Sequence, residues 1–207
     1  MTYWLPEVAR WLGLDLDNTL IDYTPAFGPL VIEHGLGTGT ESRDQLRHRL
    51  RRPDSDEQWQ LLQSVLYTDG LAYATMAQGA LDCIETALAR DWHVCIVSHK
   101  TLHTPERFGS RDLRAPATEW LARVGVADLV GSEQVHFAES QDEKVALIAE
   151  YACDVFVDDL EEVLVNQAMP SHTLRILYRA GVRWESTADG LIEADFPSLT
   201  KWLVDAE

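Results

Sequence analysis

The residues best suited to chemistry form one short run, Leu14-Asp15-Leu16-Asp17-Asn18-Thr19-Leu20, at the end of an apolar stretch that begins at Trp11. Two aspartates stand one residue apart, and a threonine follows two residues later. If the apolar stretch is a strand, its period-2 alternation turns Leu16 away and leaves both carboxylates at one rim of a sheet. Carboxylates this close repel each other unless a cation or a shared proton neutralises them. The chemistry expected of such a pair is a hard-metal, phosphoryl-transfer site. The competing reading is a strand that simply runs out into a polar turn.

The elements that must position this run follow from the hydrophobic spacing. A first strand is expected over residues 11–16, with a turn at Ile21–Pro25. From there to about Tyr73 the pattern is helical. It comprises a short helix over 26–34 that stops at Gly35, a polar helix over 41–52 with Leu46 and Leu50 one turn apart, and a third helix carrying Trp59, Leu62, Val65 and Leu66. Pro53 ends the second helix, and Asp54-Ser55-Asp56 caps the third. The glycines of Gly35–Thr40 read as a link, since no strand precedes them and no Gly-Lys-Ser/Thr follows. Residues 25–75 are thus expected to be a small helical insertion. The core would be residues 1–24 and 76–207.

The remainder alternates between helix and strand. Helices are expected over 79–90, 115–124, 143–151, 161–168 and 196–204. Strands are expected at His93–Val97 (ending at Ser98), in short pieces within Asp128–Phe137, at Val155–Val157 (ending at Asp158-Asp159) and at Leu174–Tyr178. Strands of near-continuous apolar residues between helices imply an α/β fold, a Rossmann-like parallel sheet covered on both faces.

Composition narrows the function classes. Acidic residues outnumber Lys and Arg by 34 to 17, for a net charge of −17, which argues against nucleic acid or an anionic membrane as a bulk partner. An acidic chain that handles phosphate must supply positive charge locally, from a metal or a few placed basic residues. No apolar run approaches the roughly 20 residues that span a bilayer, and residues 1–10 lack the pattern of a signal peptide. Cys83, Cys95 and Cys153 are widely spaced and odd in number, and they read as buried small hydrophobes in a reducing compartment. A cytoplasmic location is the expectation. The seven histidines show no metal-ligand spacing, so no zinc site is proposed.

In a parallel α/β sheet ligands bind beyond the carboxyl ends of the strands. Asp15 and Asp17, Ser98, and Asp158 with Asp159 all fall at such ends, and Lys144 opens a helix that can point to the same rim. Clustered aspartates suit Mg²⁺. One carboxylate can attack phosphorus while a second moves the proton, and a Ser hydroxyl and a Lys ammonium can hold phosphoryl oxygens.

These motifs, in this order, resemble the haloacid dehalogenase superfamily of phosphohydrolases. The first is Asp15-x-Asp17-x-Thr19, the second the strand ending at Ser98, the third Lys144, and the fourth the strand ending at Asp158-Asp159. The resemblance implies that Asp15 is the nucleophile and a Mg²⁺ ligand. Asp17 is then the general acid/base and gives its backbone carbonyl to the metal. Asp159 is the direct metal ligand of the fourth motif, with Asp158 supporting. Ser98 binds the phosphoryl group, and Lys144 offsets charge. Lys100 is a rival for the role of Lys144; it is set aside because a residue two past a strand end is expected to point into the loop. Glu161 or Glu162 could add a further acid. The insertion at 25–75 matches the family's helical cap in position and character. Because the dehalogenase branch lacks the second Asp, Asp17 favours phosphoryl chemistry.

Asn18, Thr19, His99, Lys100, Arg107 and Arg111 are the candidate substrate contacts. The last four lie in a long segment, 99–114, that starts at the rim and also holds His103 and Arg114. It either contacts an anionic substrate or forms its own salt links in solvent. Trp59, Trp184 and Trp202 read as packing residues. The expected activity is Mg²⁺-dependent hydrolysis of a small phosphorylated metabolite. The alternatives are a phosphomutase or phosphotransferase on the same site and a non-catalytic binding or regulatory protein on this fold.

Overall fold

The computed structural model describes residues 9–51, 56–188 and 190–205. The expected stop at Pro53 and the capping residues Asp54 and Ser55 lie outside the described residues, as do residues 1–8.

In chain order the elements are β1 (Arg10–Leu14), β2 (Ile21–Asp22), α1 (Thr24–Glu33), α2 (Arg43–Leu50), α3 (Asp56–Leu66), β3 (Thr75–Met76), α4 (Ala80–Ala89) and β4 (Trp92–His99). There follow α5 (Arg114–Arg123), α6 (Val126–Val130), β5 (Val135–Ala138), α7 (Gln141–Glu150), β6 (Val155–Asp158) and α8 (Glu161–Leu164). The chain continues with β7 (Leu174–Tyr178), β8 (Glu185–Ser186), β9 (Ile192–Ala194) and α9 (Phe196–Asp205). The main sheet has the order β5-β4-β1-β6-β7-β9-β8 and is parallel except for β8 at its edge. It is the Rossmann-like α/β architecture.

Strand alternation divides the core into two layers. Leu12, Leu14, Val94, Ile96, Val155 and Val157 pack toward α4, α5 and α9, and the same cluster runs on into α1–α3 through Leu30, Leu46 and Leu62. Cys95, Val97, Phe156 and Leu177 face the other way, onto Val145 and Ile148 of α7 and Val163 and Leu164 of α8. Gly13 belongs to this second face. A Cβ there would sit 2.5 Å from the Phe156 ring and 2.8 Å from Cys153 Sγ, so the central strand needs a glycine for its neighbour to pack. The three cysteines are buried free thiols. Trp184 and Trp202 stack on each other at 5.4 Å between ring centroids.

Several boundaries differ from expectation. β1 ends at Leu14, two residues early. Asp15 still donates its N–H to Val157 O at 2.9 Å, but the chain then turns through Asn18, whose φ of 64° is the left-handed conformation that Asn tolerates. The expected strand pieces in Asp128–Phe137 reduce to β5, and Asp128–Val130 is helical within α6. The helix expected over 161–168 stops at Leu164. The short strands β8 and β9 have no counterpart among the expected elements; they extend the sheet past β7.

Candidate active site

The alternation that sorts the core also sorts the rim. Asp15 continues the Gly13 side of β1, and Asp158 continues the Phe156 side of β6, so both carboxylates face α7. Lys144, in the first turns of that helix, reaches both: its Nζ is 2.6 Å from Asp15 Oδ1 and 2.6 Å from Asp158 Oδ2. Ser140 caps α7 by accepting from Glu143 N–H and thereby fixes where the helix starts. Burial works against the Lys144 ammonium, but Asp15 and Asp158 outweigh it and hold its pKa well above the usual lysine range. Asp158 has no exposure. Burial, its largest influence, pushes its carboxyl upward against the pull of Lys144.

Asp159, one residue on, turns to the opposite side. Its Oδ2 meets Arg43 Nη1 at 2.9 Å, and burial together with the Asp15 charge pushes its carboxyl up to about 6. Carboxylate oxygens of Asp15, Asp158 and Asp159 lie within 4.8 Å of one another. This is a hard, all-oxygen donor set, and burial with the neighbouring Asp15 charge raises the Asp158 and Asp159 carboxyls, so the residues fit a divalent cation. Asp158 is committed to Lys144 and to the Leu160 N–H at 2.9 Å, which leaves Asp15 and Asp159 as the accessible ligands. Glu161 and Glu162 are exposed on α8 and stand outside this acidic cluster.

Asp17 has its own partners. Tyr23 OH donates to Oδ1 at 2.7 Å, and Lys100 Nζ lies 2.7 Å from Oδ2. Burial, then the Asp17 charge, raises the Tyr23 phenol well above its ordinary pKa and keeps it a donor. The expectation that Lys100 points into the loop is corrected by this contact. β4 runs on to His99, and Lys100 N–H still donates to Ala138 O at 2.9 Å, so alternation puts Lys100 on the same side as Ser98. Its ammonium is buried over the Tyr67 ring, 4.5 Å from the centroid. Ser98 is also buried, and its hydroxyl finds no hydrogen-bond partner among the described residues. A buried hydroxyl without a partner is costly and needs an explanation; a bound oxyanion supplies one.

Thr19 is not presented to a substrate. It is fully buried, its hydroxyl donates to Asp15 Oδ2 at 2.9 Å, and it accepts from Asp159 N–H at 3.1 Å. It therefore ties the first rim loop to the fourth. Asn18 and His99 do border the cavity, whose volume is about 430 Å³, together with Asp15, Asp17, Ser98 and Lys144.

Arg107 and Arg111 do not border it. Arg107 donates to Gln60 and pairs loosely with Glu57 at 3.8 Å, and Arg111 grips Asp69 with two bonds of 2.5 and 2.6 Å. Arg114 bonds Lys100 O at 2.9 Å and pairs with Glu139. Arg107 and Arg111 thus clasp the helical insertion instead of facing a ligand, while Lys100 at the start of the segment borders the cavity. The Arg111–Asp69 pair is exposed on both sides, so Arg111→Ala is expected to cost no more than about 1 kcal/mol in urea unfolding. A loss above about 2 kcal/mol would show the clasp to be stronger than a surface pair.

Sequence reasoning named Lys100 and Lys144, which border the cavity, but missed three arginines that do so too. Arg43, Arg47 and Arg51 recur every four residues along α2 and its C-cap, and all three line it. Their spacing was the available signal, but a polar helix shows the same pattern when its charged face meets solvent.

The site is thus an acidic cluster that fits a cation, set at the carboxyl rim of a parallel α/β sheet. No protein-family model and no curated protein matches the chain. Among solved structures it is similar to a haloacid dehalogenase-like hydrolase from Streptococcus pneumoniae (12% identity, 94% of this chain and 90% of that one, TM-score 0.53). It is also similar to a predicted phosphatase from Clostridium acetobutylicum (12%, 96% and 100%, 0.57) and to protein tyrosine kinase A from Mycobacterium tuberculosis (15%, 95% and 99%, 0.63). The chain has the haloacid dehalogenase-like fold.

Proposed function

We propose that the chain is a Mg²⁺-dependent phosphatase of a small phosphorylated metabolite, with residues 25–75 as its cap. The observation that carries this reading is the separation of two neighbouring carboxylates into different environments. Asp15 is fixed by Lys144 and Thr19 beside the acidic cluster, and Asp17 is fixed by Lys100 and Tyr23 across the same cavity. Two carboxylates with distinct partners can take distinct roles.

Each oxygen of Asp15 accepts one bond and retains lone-pair capacity for attack. In the first half-reaction an Asp15 oxygen forms a bond to phosphorus as the ester P–O bond breaks. Asp17 gives its proton to the departing alkoxide. In the second, Asp17 takes a proton from water, the water oxygen attacks phosphorus, and the Asp15–phosphate bond breaks to release inorganic phosphate. Ser98 and Lys144 offer donors to the phosphoryl oxygens throughout. Mg²⁺, held by Asp15 and Asp159, would neutralise phosphoryl charge and let the two anions approach.

The test is a panel of phosphorylated metabolites assayed with Mg²⁺ and with chelator. Turnover that requires the cation supports the reading, and no turnover of any ester would remove it. Cation binding has a separate signature. With Asp159 raised from 3.8 to about 6, the unligated fold takes up a proton more readily than the unfolded chain. Its stability therefore falls as pH rises through that window and stays reduced above it. A bound cation offsets that loss. Saturating Mg²⁺ is expected to raise Tm by about 5 °C at neutral pH. The gain should fade as pH drops below about 6 and protons compete for Asp159. A Tm gain that persists unchanged in Asp159→Asn would place the cation elsewhere.

A further inference from the structure

The negative charge on the cavity floor is already matched: Asp15 by Lys144, Asp17 by Lys100 and Asp159 by Arg43. At the start of α3, Asp56 accepts from Gln60 Nε2 at 2.6 Å. Glu162, exposed on α8, also borders the cavity at its edge. On the α2 side, two guanidinium groups face the cavity without an acidic partner among the described residues. Arg47 is half-buried, Arg51 is exposed, and neither makes an ion pair with any described residue. In a chain of net charge −17, two guanidinium groups turned to one cavity without an acidic partner among the described residues are a concentrated exception.

Their place on the helix says what they can reach. Arg43 touches the rim itself, through Asp159. Arg47 stands about 6 Å further along the helix axis and Arg51 about 12 Å, at 1.5 Å per residue. The phosphoryl group that reacts at Asp15 is served by Ser98 and Lys144. Arg47 and Arg51 are therefore placed for a second anion, further from the reacting phosphorus. The planar guanidinium fork matches the oxygens of a carboxylate or a phosphate.

We infer that the cavity takes a phosphate monoester carrying a second anionic group, a carboxylate or a further phosphate, held by Arg47 and Arg51. This rests on the phosphatase reading for the first group only.

The test is calorimetric binding in Mg²⁺, which needs no turnover. The probes are phosphonoalkanoates and alkane bisphosphonates of graded length, with alkylphosphonates of matched length as controls. Wild type is compared with the R47Q/R51Q double variant. Neither side chain is in the core, so the variant is expected to keep its far-ultraviolet circular dichroism and its Tm. Wild type is expected to bind one of the dianion series on the order of tenfold or more tighter than the matched controls. That preference should collapse in R47Q/R51Q. Which series wins tells a carboxylate from a phosphate. Equal binding of dianions and controls, a preference that survives in the double variant, or no binding of any probe overturns the inference. Failure of the phosphatase reading shows elsewhere, as absence of turnover across the ester panel.

Discussion

Asp15→Asn abolishes turnover of a phosphomonoester, lowering kcat by on the order of 10⁴-fold, because the amide cannot attack phosphorus. The substitution is nearly isosteric. Thr19 can still donate to the remaining carbonyl oxygen, and the Asp15 N–H bond to Val157 O is untouched. The loss should therefore appear in kcat with the fold intact. It also takes from buried Lys144 one of its two carboxylate partners, so Asp15→Asn is expected to lose some stability while Asp158 keeps the ammonium paired. A loss in kcat of this size in protein that keeps its far-ultraviolet circular dichroism and a cooperative unfolding transition separates a chemical role from a structural one. If Asp15→Asn hydrolysed esters at the wild-type rate, another residue would be the nucleophile.

Lys144→Met has the largest expected effect on stability. The Lys144 ammonium is 2% exposed and lies between two carboxylates at 2.6 Å each, over the Phe156 ring. Removing it leaves Asp15 and Asp158 buried without their cation, and breaking a buried pair in this way costs roughly 3–5 kcal/mol. Methionine retains much of the aliphatic packing, so the loss reports charge more than volume. Urea unfolding measures it. A second change, Asp158→Asn, removes one orphaned charge and keeps an oxygen for the Leu160 N–H. The double variant is expected to recover part of the loss. A cost below about 1 kcal/mol for Lys144→Met would show that Lys144 is not the counter-ion on which these two carboxylates depend.

Strand ends were legible because they combine a local pattern with a topological rule. Asp15, Ser98 and Asp158 each close an apolar run, and a parallel sheet delivers such ends to one rim. The split between Asp158 and Asp159 follows from the same period of two. Lys100 turns on a single strand boundary. The pairing of β4 with β5 carries extended geometry two residues further than the apolar run, and parity then decides which way the side chain points. Thr19 reads as a ligand contact in the sequence because a hydroxyl two residues past Asp17 has no visible partner there. Its acceptor and donor come from Asp15 and the backbone of Asp159, 140 residues away.

Basic side chains were the least legible. Charge density draws attention to Arg107 and Arg111, yet their partners are Gln60, Glu57 and Asp69 in the helical insertion, and nothing local encodes that pairing. The reverse holds for Arg43, Arg47 and Arg51. The apolar stripe of Leu46 and Leu50 fixes which face of α2 is buried, but what lies opposite the polar face depends on how the insertion docks. Propensity and periodicity settle an element and its buried face. They do not settle which neighbour a charged face will meet.

Phosphoryl transfer through Asp15 is tested most directly by trapping the intermediate. Once the ester panel has named a turned-over substrate, the protein is mixed with it and Mg²⁺, quenched in acid, and reduced with borohydride. An acyl-phosphate at an aspartate is then converted to homoserine. Attack by Asp15 predicts homoserine at position 15 in peptide mass spectra, absent without substrate and absent in Asp15→Asn. Phosphate release with no reduced residue at position 15, or a reduced residue at Asp17 or Asp159, would contradict it.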